Sequence, residues 1–183
     1  MSAPRAISFV GRSGSGKTTL LEGVIEALVV RGLRVGTIKH HGHDIELDVP
    51  HKDSWRHARA GAVATIVSNP SQVALFRRVH DELALADLVE LMPEVDVVLV
   101  EGFRAEATQC VEVVRAANSS QPVCAAEQIA VLVTDVPIDT LPETLRDAIG
   151  RGSVAVFGVN DVEGVAAAIA DGPAWTSMER SNK

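Results

Sequence analysis

Aromatic side chains are scarce in this 183-residue chain, which holds four Phe, two Trp and no Tyr. A core drawn from its 46% hydrophobic residues must therefore be built from Val, Leu, Ile and Ala. Cysteine is scarcer still. Cys110 and Cys124 form no C-x-x-C pair, and two thiols are too few for a disulfide scaffold. No apolar run approaches membrane-spanning length, and the first residues lack the architecture of a secretory leader. The expected location is the cytoplasm, with both thiols reduced and no membrane partner. Positive charge is also in deficit: the formal charge is −7. That balance argues against nucleic acid as a partner. No internal repeat, linker or low-complexity block is visible. One domain over 1–172, followed by a polar, flexible tail at 173–183, is expected.

What is present is a complete G-x-x-x-x-G-K-[ST] pattern at 11–18, Gly-Arg-Ser-Gly-Ser-Gly-Lys-Thr. A β-prone run, 6–10, precedes it, and apolar residues at helical spacing follow over 19–31. That context turns the pattern into a phosphate-binding loop. Gly11, Gly14 and Gly16 allow positive-φ turns and close approach of the backbone to phosphates. Successive N–H groups at the positive end of a helix form an anion nest. Lys17 is the expected contact to the β- and γ-phosphates, and the Thr18 hydroxyl the expected Mg²⁺ ligand.

Strand-like runs occupy 6–10, 34–39, 95–100, 129–133 and 153–157. The unbroken apolar run 95–100 reads as a central parallel strand, and the weaker alternation of 111–115 as an edge strand. Residues 62–68 read as a buried strand, with 72–76 as its hairpin partner across Asn69-Pro70. Helices are expected at 17–31, 53–60, 81–91, from Thr140 onward, and at 160–170. Gly32 is the expected stop of the first, and Asp53 the N-cap of the second. Thr140-Leu-Pro-Glu143 reads as a capping box, and Asn160-Asp-Val-Glu163 as the cap of the last helix. The expected fold is α/β: a three-layer P-loop NTPase fold with a mostly parallel central sheet and an inserted β-hairpin.

Glu101 ends the 95–100 run, at the carboxyl edge where such sheets bind ligands, and is the expected second Mg²⁺ ligand. Asp96 sits at the far end of that run. Lys39-His40-His41-Gly42-His43-Asp44, with Asp48 beyond, leaves another strand end. Three readings stay open for it: a transition-metal site, a phosphate-holding surface with Asp48 near Mg²⁺, or a solvated loop. No N-K-x-D guanine-reading motif lies in the body of the chain. Asp135, at the end of 129–133, offers an acceptor for the guanine N1 and N2 donors.

Residues 11–19, then Lys39-His40-x-x-His43, Asp48-x-Pro50-x-Lys52-Asp53-Ser54, Ala60-Gly61-Ala62 and Asp96-x-x-Leu99-Val100-Glu101-Gly102-Phe103 occur in that order. Together they resemble the MobB family, the molybdopterin-guanine dinucleotide biosynthesis adaptor proteins. The likeness runs to about Asp161. The resemblance implies a dimeric protein that binds GTP with Mg²⁺, hydrolyses it weakly, and assists the nucleotidyltransferase MobA, which joins GMP to molybdopterin. It implies nucleotide contacts from Gly11, Ser13, Gly14, Ser15, Gly16, Lys17, Thr18 and Thr19, and Mg²⁺ ligation by Thr18 and Glu101. Lys39, His40, His43, Asp48, Lys52 and Asp53 would line the adjoining surface. Two departures stand out. His51 occupies the place where the family commonly has Gly, and Gln109-Cys110 the place of Pro-Lys.

Other classes compete with the adaptor: a metallochaperone GTPase using His40, His41 and His43, or a small-molecule kinase or ligase using ATP. A fast hydrolase needs a group that orients water. No glutamine closely follows 95–102, so slow hydrolysis fits better.

Overall fold

Parallel strands need crossovers, and the sequence supplies a helix or an irregular segment after each strand. The computed structural model describes residues 4–106 and 109–172, so the expected tail at 173–183 lies outside the described residues. The chain divides into two compact units, one made of residues up to 40 and from 85 onward, the other of 41–84.

The larger unit runs β1 (Arg5–Val10), α1 (Lys17–Val30), β2 (Val35–Lys39), α3 (Leu85–Glu90), β5 (Val97–Glu101), β6 (Cys110–Val114), β7 (Ile129–Thr134), α4 (Glu143–Gly150), β8 (Ala155–Phe157) and α5 (Val162–Asp171). The smaller holds α2 (Asp53–Arg59) and the antiparallel pair β3 (Ala64–Ser68) and β4 (Val73–Arg77). Six strands form one sheet in the order β2-β5-β1-β6-β7-β8, with every neighbouring pair parallel.

Side-chain alternation along these strands builds two cores. Ile7, Phe9, Val97, Leu99, Val111, Val113, Val131 and Val133 face α1 and α5, where Leu20, Val24, Leu28, Val165 and Ile169 are buried. The opposite face packs Val98 and Val100 against Leu85 and Val89 of α3, and Val10, Val114 and Leu132 against Leu145 and Ala148 of α4. The result is three layers, with strands that read as continuous apolar runs because both faces are covered. Each fully buried Leu, Val or Ile contributes about 1.5–3 kcal/mol, so an aliphatic core needs no aromatic mass.

Several local expectations are corrected. β6 is not an edge strand: it lies between β1 and β7, and all five residues are buried, Glu112 among them. β3 is not buried either, since Ile66 is 67% and Val67 47% exposed. α2 starts at Asp53 with Lys52 as its N-cap, so Asp53 is the first helical residue, where its charge still suits the helix dipole. No capping box forms at 140–143. Pro142 is the N-cap of α4, and the Thr140 hydroxyl donates to the Pro137 carbonyl at 2.7 Å. The last helix is capped by Asp161, whose carboxylate accepts from the Gly164 N–H at 3.0 Å. Residues 81–84 precede α3 rather than joining it.

Candidate functional site

β1 ends at Val10, and the backbone then turns through Gly11 (φ 145°), Gly14 (φ 76°) and Gly16 (φ 86°) into α1. Gly16 is the N-cap and brings no side chain, so the first N–H groups of α1 keep no side-chain cap. A Cβ at Gly11 would lie 2.5 Å from the Val113 carbonyl oxygen of β6, so only glycine fits there. The loop is braced from the segment after β6: the Asn118 side-chain amide donates to the Ser13 carbonyl. Asp135 holds that segment in turn, its carboxylate accepting from Arg115 Nε at 2.9 Å and from the Ala116 N–H at 2.7 Å. The Ala116 N–H keeps the Asp135 carboxyl below its ordinary pKa; burial opposes it, and Arg115 adds to the lowering.

Lys17 folds back over the loop and donates to the carbonyls of Gly11 (2.9 Å) and Arg12 (2.8 Å). Burial pulls its pKa below the ordinary lysine value, Glu101 works against that, and Lys39 adds to it. Ser15 is 1% exposed, and its hydroxyl has no hydrogen-bond partner among the described residues. Buried polar groups are normally satisfied, so this hydroxyl is an open acceptor and donor at the floor of the loop. Thr18 and Thr19 occupy the first turn of α1, both exposed.

The register of the sheet supplies the rest. Lys39 of β2 and Glu101 of β5 are paired positions, so their side chains emerge on one face and form an ion pair. The Thr18 hydroxyl donates to the same carboxylate, at 3.2 and 3.3 Å to its two oxygens. Glu101 is 8% exposed, a nearly buried carboxylate fixed between a hydroxyl and an ammonium. Gly102 (φ 112°) then lets His40 approach closely, since a Cβ there would lie 2.8 Å from His40 Cβ. The His40 ring packs on Phe103 at 4.3 Å between centroids. Asp96, at the other end of β5, is bound to Arg34.

Thus the structure brings together 11–19, Lys39, His40 and Glu101, with Asp135 bracing the loop from behind. His43, Asp48, Lys52 and Asp53 belong to the smaller unit. There the Asp48 carboxylate accepts from the Val49 N–H (2.7 Å) and the Ser54 hydroxyl (3.0 Å), leaving one oxygen buried and without a partner among the described residues. His51 takes φ 68°, a left-handed turn kept without glycine, and its ring rests on Trp55. His41 and His43 meet edge to face at 6.3 Å. Residues that sequence reasoning did not single out for the loop are Asn118 and Val113. The first is an unremarkable polar residue and the second contributes only a backbone oxygen, so neither leaves a signal in the sequence.

A parallel six-stranded sheet with a glycine loop between its first strand and helix, and a carboxylate ending the neighbouring strand, defines an α/β protein of the P-loop-like class. The sequence places it further. Residues 6–135 match the family model for molybdopterin guanine dinucleotide synthesis protein B, and the chain belongs to that MobB family. It is 36% identical over 166 residues to the molybdopterin-guanine dinucleotide biosynthesis adapter protein of Escherichia coli, covering 87% of this chain and 88% of that one. A Haemophilus influenzae protein of the same name is 40% identical over 102 residues, 55% of this chain and 57% of its own. Among solved structures, a MobB homolog from Bacillus stearothermophilus superposes with a TM-score of 0.61 at 27% identity, covering 91% of this chain and 95% of its own. A crystal structure of molybdopterin-guanine biosynthesis protein B does so with a TM-score of 0.64, also at 27% identity, covering 91% and 98%. No helix among the described residues is long and apolar enough to cross a membrane.

Proposed function

We propose that this chain is a GTP-binding adaptor that assists attachment of GMP to molybdopterin, acting on a MobA-like nucleotidyltransferase as a cytoplasmic homodimer. The observation that carries the nucleotide part is the loop 11–16 itself. It pairs a backbone cradle that a Cβ would fill with an orphaned buried hydroxyl on Ser15. Such a cradle at a helix N-terminus suits phosphate oxygens. In this reading Gly11, Ser13, Gly14, Ser15, Gly16, Lys17, Thr18 and Thr19 hold the triphosphate, and Thr18 with Glu101 would hold Mg²⁺. The ion would supply charge neutralisation between phosphates. Lys17 exchanges its two carbonyl partners for phosphate oxygens, and Lys39 holds the Glu101 carboxylate in place through their ion pair.

Two features support presentation of the nucleotide over rapid turnover. The sequence after β5 runs Gly102-Phe103-Arg104, with no group to orient an attacking water. Asp135 has each oxygen engaged in bracing the loop, so any guanine contact from it must be shared with Arg115 and Ala116. For His40, His43, Asp48, Lys52 and Asp53 the assignment to the binding surface rests on the family motif. The adaptor role draws on the names of the curated relatives. The dimer draws on exposed apolar side chains of the hairpin, Ile66, Val73 and Leu75, which are 67%, 73% and 52% accessible.

The test is calorimetric titration with Mg²⁺–GTP and Mg²⁺–ATP, followed by reconstitution with the transferase. The expected result is GTP binding lost in Lys17→Ala, and GTP-dependent stimulation of dinucleotide formation. Absence of any stimulation by wild-type protein that binds GTP would overturn the adaptor role. ATP preference with turnover of a metabolite would replace it with a kinase or ligase.

A further inference from the structure

We propose that Cys110, Glu112 and Cys124 form a buried binding site for a thiophilic divalent cation of the zinc class, on the sheet face opposite α1. Cys110 and Glu112 are two residues apart on β6, so strand alternation puts them on one face. Cys124 arrives from the irregular segment between β6 and β7. The two sulfurs and a carboxylate oxygen all lie within 4.8 Å of one another. Tetrahedral zinc with metal–sulfur bonds of about 2.3 Å spaces two sulfurs roughly 3.8 Å apart, so these donors need only a small adjustment.

The second observation is the state of Glu112. It is 1% exposed, and its oxygens accept from the Val123 N–H (2.9 Å) and the Cys124 N–H (3.1 Å). Among the described residues no cationic side chain lies within ion-pairing distance of it. Lys17 reaches it only through the longer-range field, with no direct ion pair, and a metal ion beside a buried carboxylate would lower the cost of burying its charge. The same two hydrogen bonds bring Cys124 to Cys110, so the carboxylate orients the thiol partner as well as offering an oxygen. Two thiolates and one carboxylate select zinc-like ions over magnesium or calcium.

The hydrogen bond with Cys124, and then burial, raise the Cys110 thiol above its ordinary range. Because thiolates are the ligands, each metal–sulfur bond that forms displaces a thiol proton to solvent, with no change in oxidation state. Cys124, 8% exposed, is the side from which an ion enters. Among the described residues the donor group consists of Cys110, Glu112 and Cys124.

Cadmium reports directly on such a site, because thiolate-to-cadmium charge transfer absorbs in the near ultraviolet and imidazole ligation does not. The full chain, kept reduced with a phosphine, is titrated with Cd²⁺ while absorbance and reactivity of both thiols are followed. One equivalent should give a saturating band and protect both thiols, with Cys110→Ala and Cys124→Ala each losing the band. A His41→Ala/His43→Ala double variant should keep it. Thermal melts without metal establish that each variant is folded. A folded, reduced wild type with no band, a band that survives Cys124→Ala, or thiols that only oxidise to a disulfide without metal uptake would overturn the proposal.

Discussion

Gly11→Ala is the sharpest single test of the loop's construction. The new Cβ would meet the Val113 carbonyl oxygen at 2.5 Å and Ser15 Oγ at 3.0 Å, with the backbone at φ 145°. The Val113 carbonyl belongs to β6, held between β1 and β7, so it cannot retreat as a flexible side chain would. Strain at such a φ costs about 1–3 kcal/mol. Overpacking against fixed backbone adds about 1–3 kcal/mol. Loss of unfolded-chain freedom returns about 0.4–1 kcal/mol. The net, about 3 kcal/mol, corresponds to a fall in Tm of roughly 6–12 °C for a chain of this size. Gly32→Ala is the control. It shares a positive φ, 84°, but a Cβ there has nothing within 4 Å. It should fall by only about 1 kcal/mol, roughly 2–4 °C. Differential scanning calorimetry on both variants reads the difference. Equal shifts, or a Gly11→Ala shift under about 2 °C, would refute the claim that β6 walls the loop.

Hydrogen bonds from the Arg34 side chain, then from its backbone, lower the Asp96 pKa to about 2. A carboxyl whose folded pKa is depressed stabilises above its unfolded value of about 4 and loses that effect as pH falls toward the folded value. The Tm gap between wild type and Asp96→Asn should thus be full at neutral pH and close between about pH 4 and 2; a gap independent of pH would count against the pairing. His51→Val should destabilise by about 1–2 kcal/mol, because a β-branched residue resists φ 68°, while His51→Gly should melt near wild type. Equal melting of the two, followed by Trp55 fluorescence, would show that the turn is not under strain. If the proposed homodimer pairs through the hairpin, an Ile66→Glu/Leu75→Glu pair should lower the mass to that of a monomer by light scattering, and an unchanged mass would move the interface off the hairpin.

The glycine loop and its flanking strand and helix were legible because backbone geometry leaves glycines, and phosphate chemistry leaves Lys17 and Thr18, in fixed places. Lys39 and Glu101 were each readable as strand ends. That they are partners follows from β2–β5 register, which no local pattern encodes. β6 reads as an edge strand because Glu112 breaks its apolar run and leaves an apolar–polar alternation. Its carboxylate is satisfied by N–H groups at 123 and 124, too remote for a window over 110–115 to register. The apolar hairpin strands misled in the other direction, since hydrophobicity predicts burial only when something covers the face. At 140–143 the residue types fit a capping box, but the Thr140 hydroxyl found the Pro137 carbonyl first.

The strand order has a consequence for how the protein is made. β1 leaves the ribosome well before its two sheet neighbours, β5 and β6, at 97–101 and 110–114. At roughly 5–20 residues per second, both of its edges stay unpaired for about 5–20 seconds of synthesis. During that interval α1 has no finished sheet to cover, and the glycine loop has no wall. A strand made early is therefore completed late. Mutations in β6 should lower the yield of soluble protein in cells beyond what their effect on the purified protein's melting would suggest.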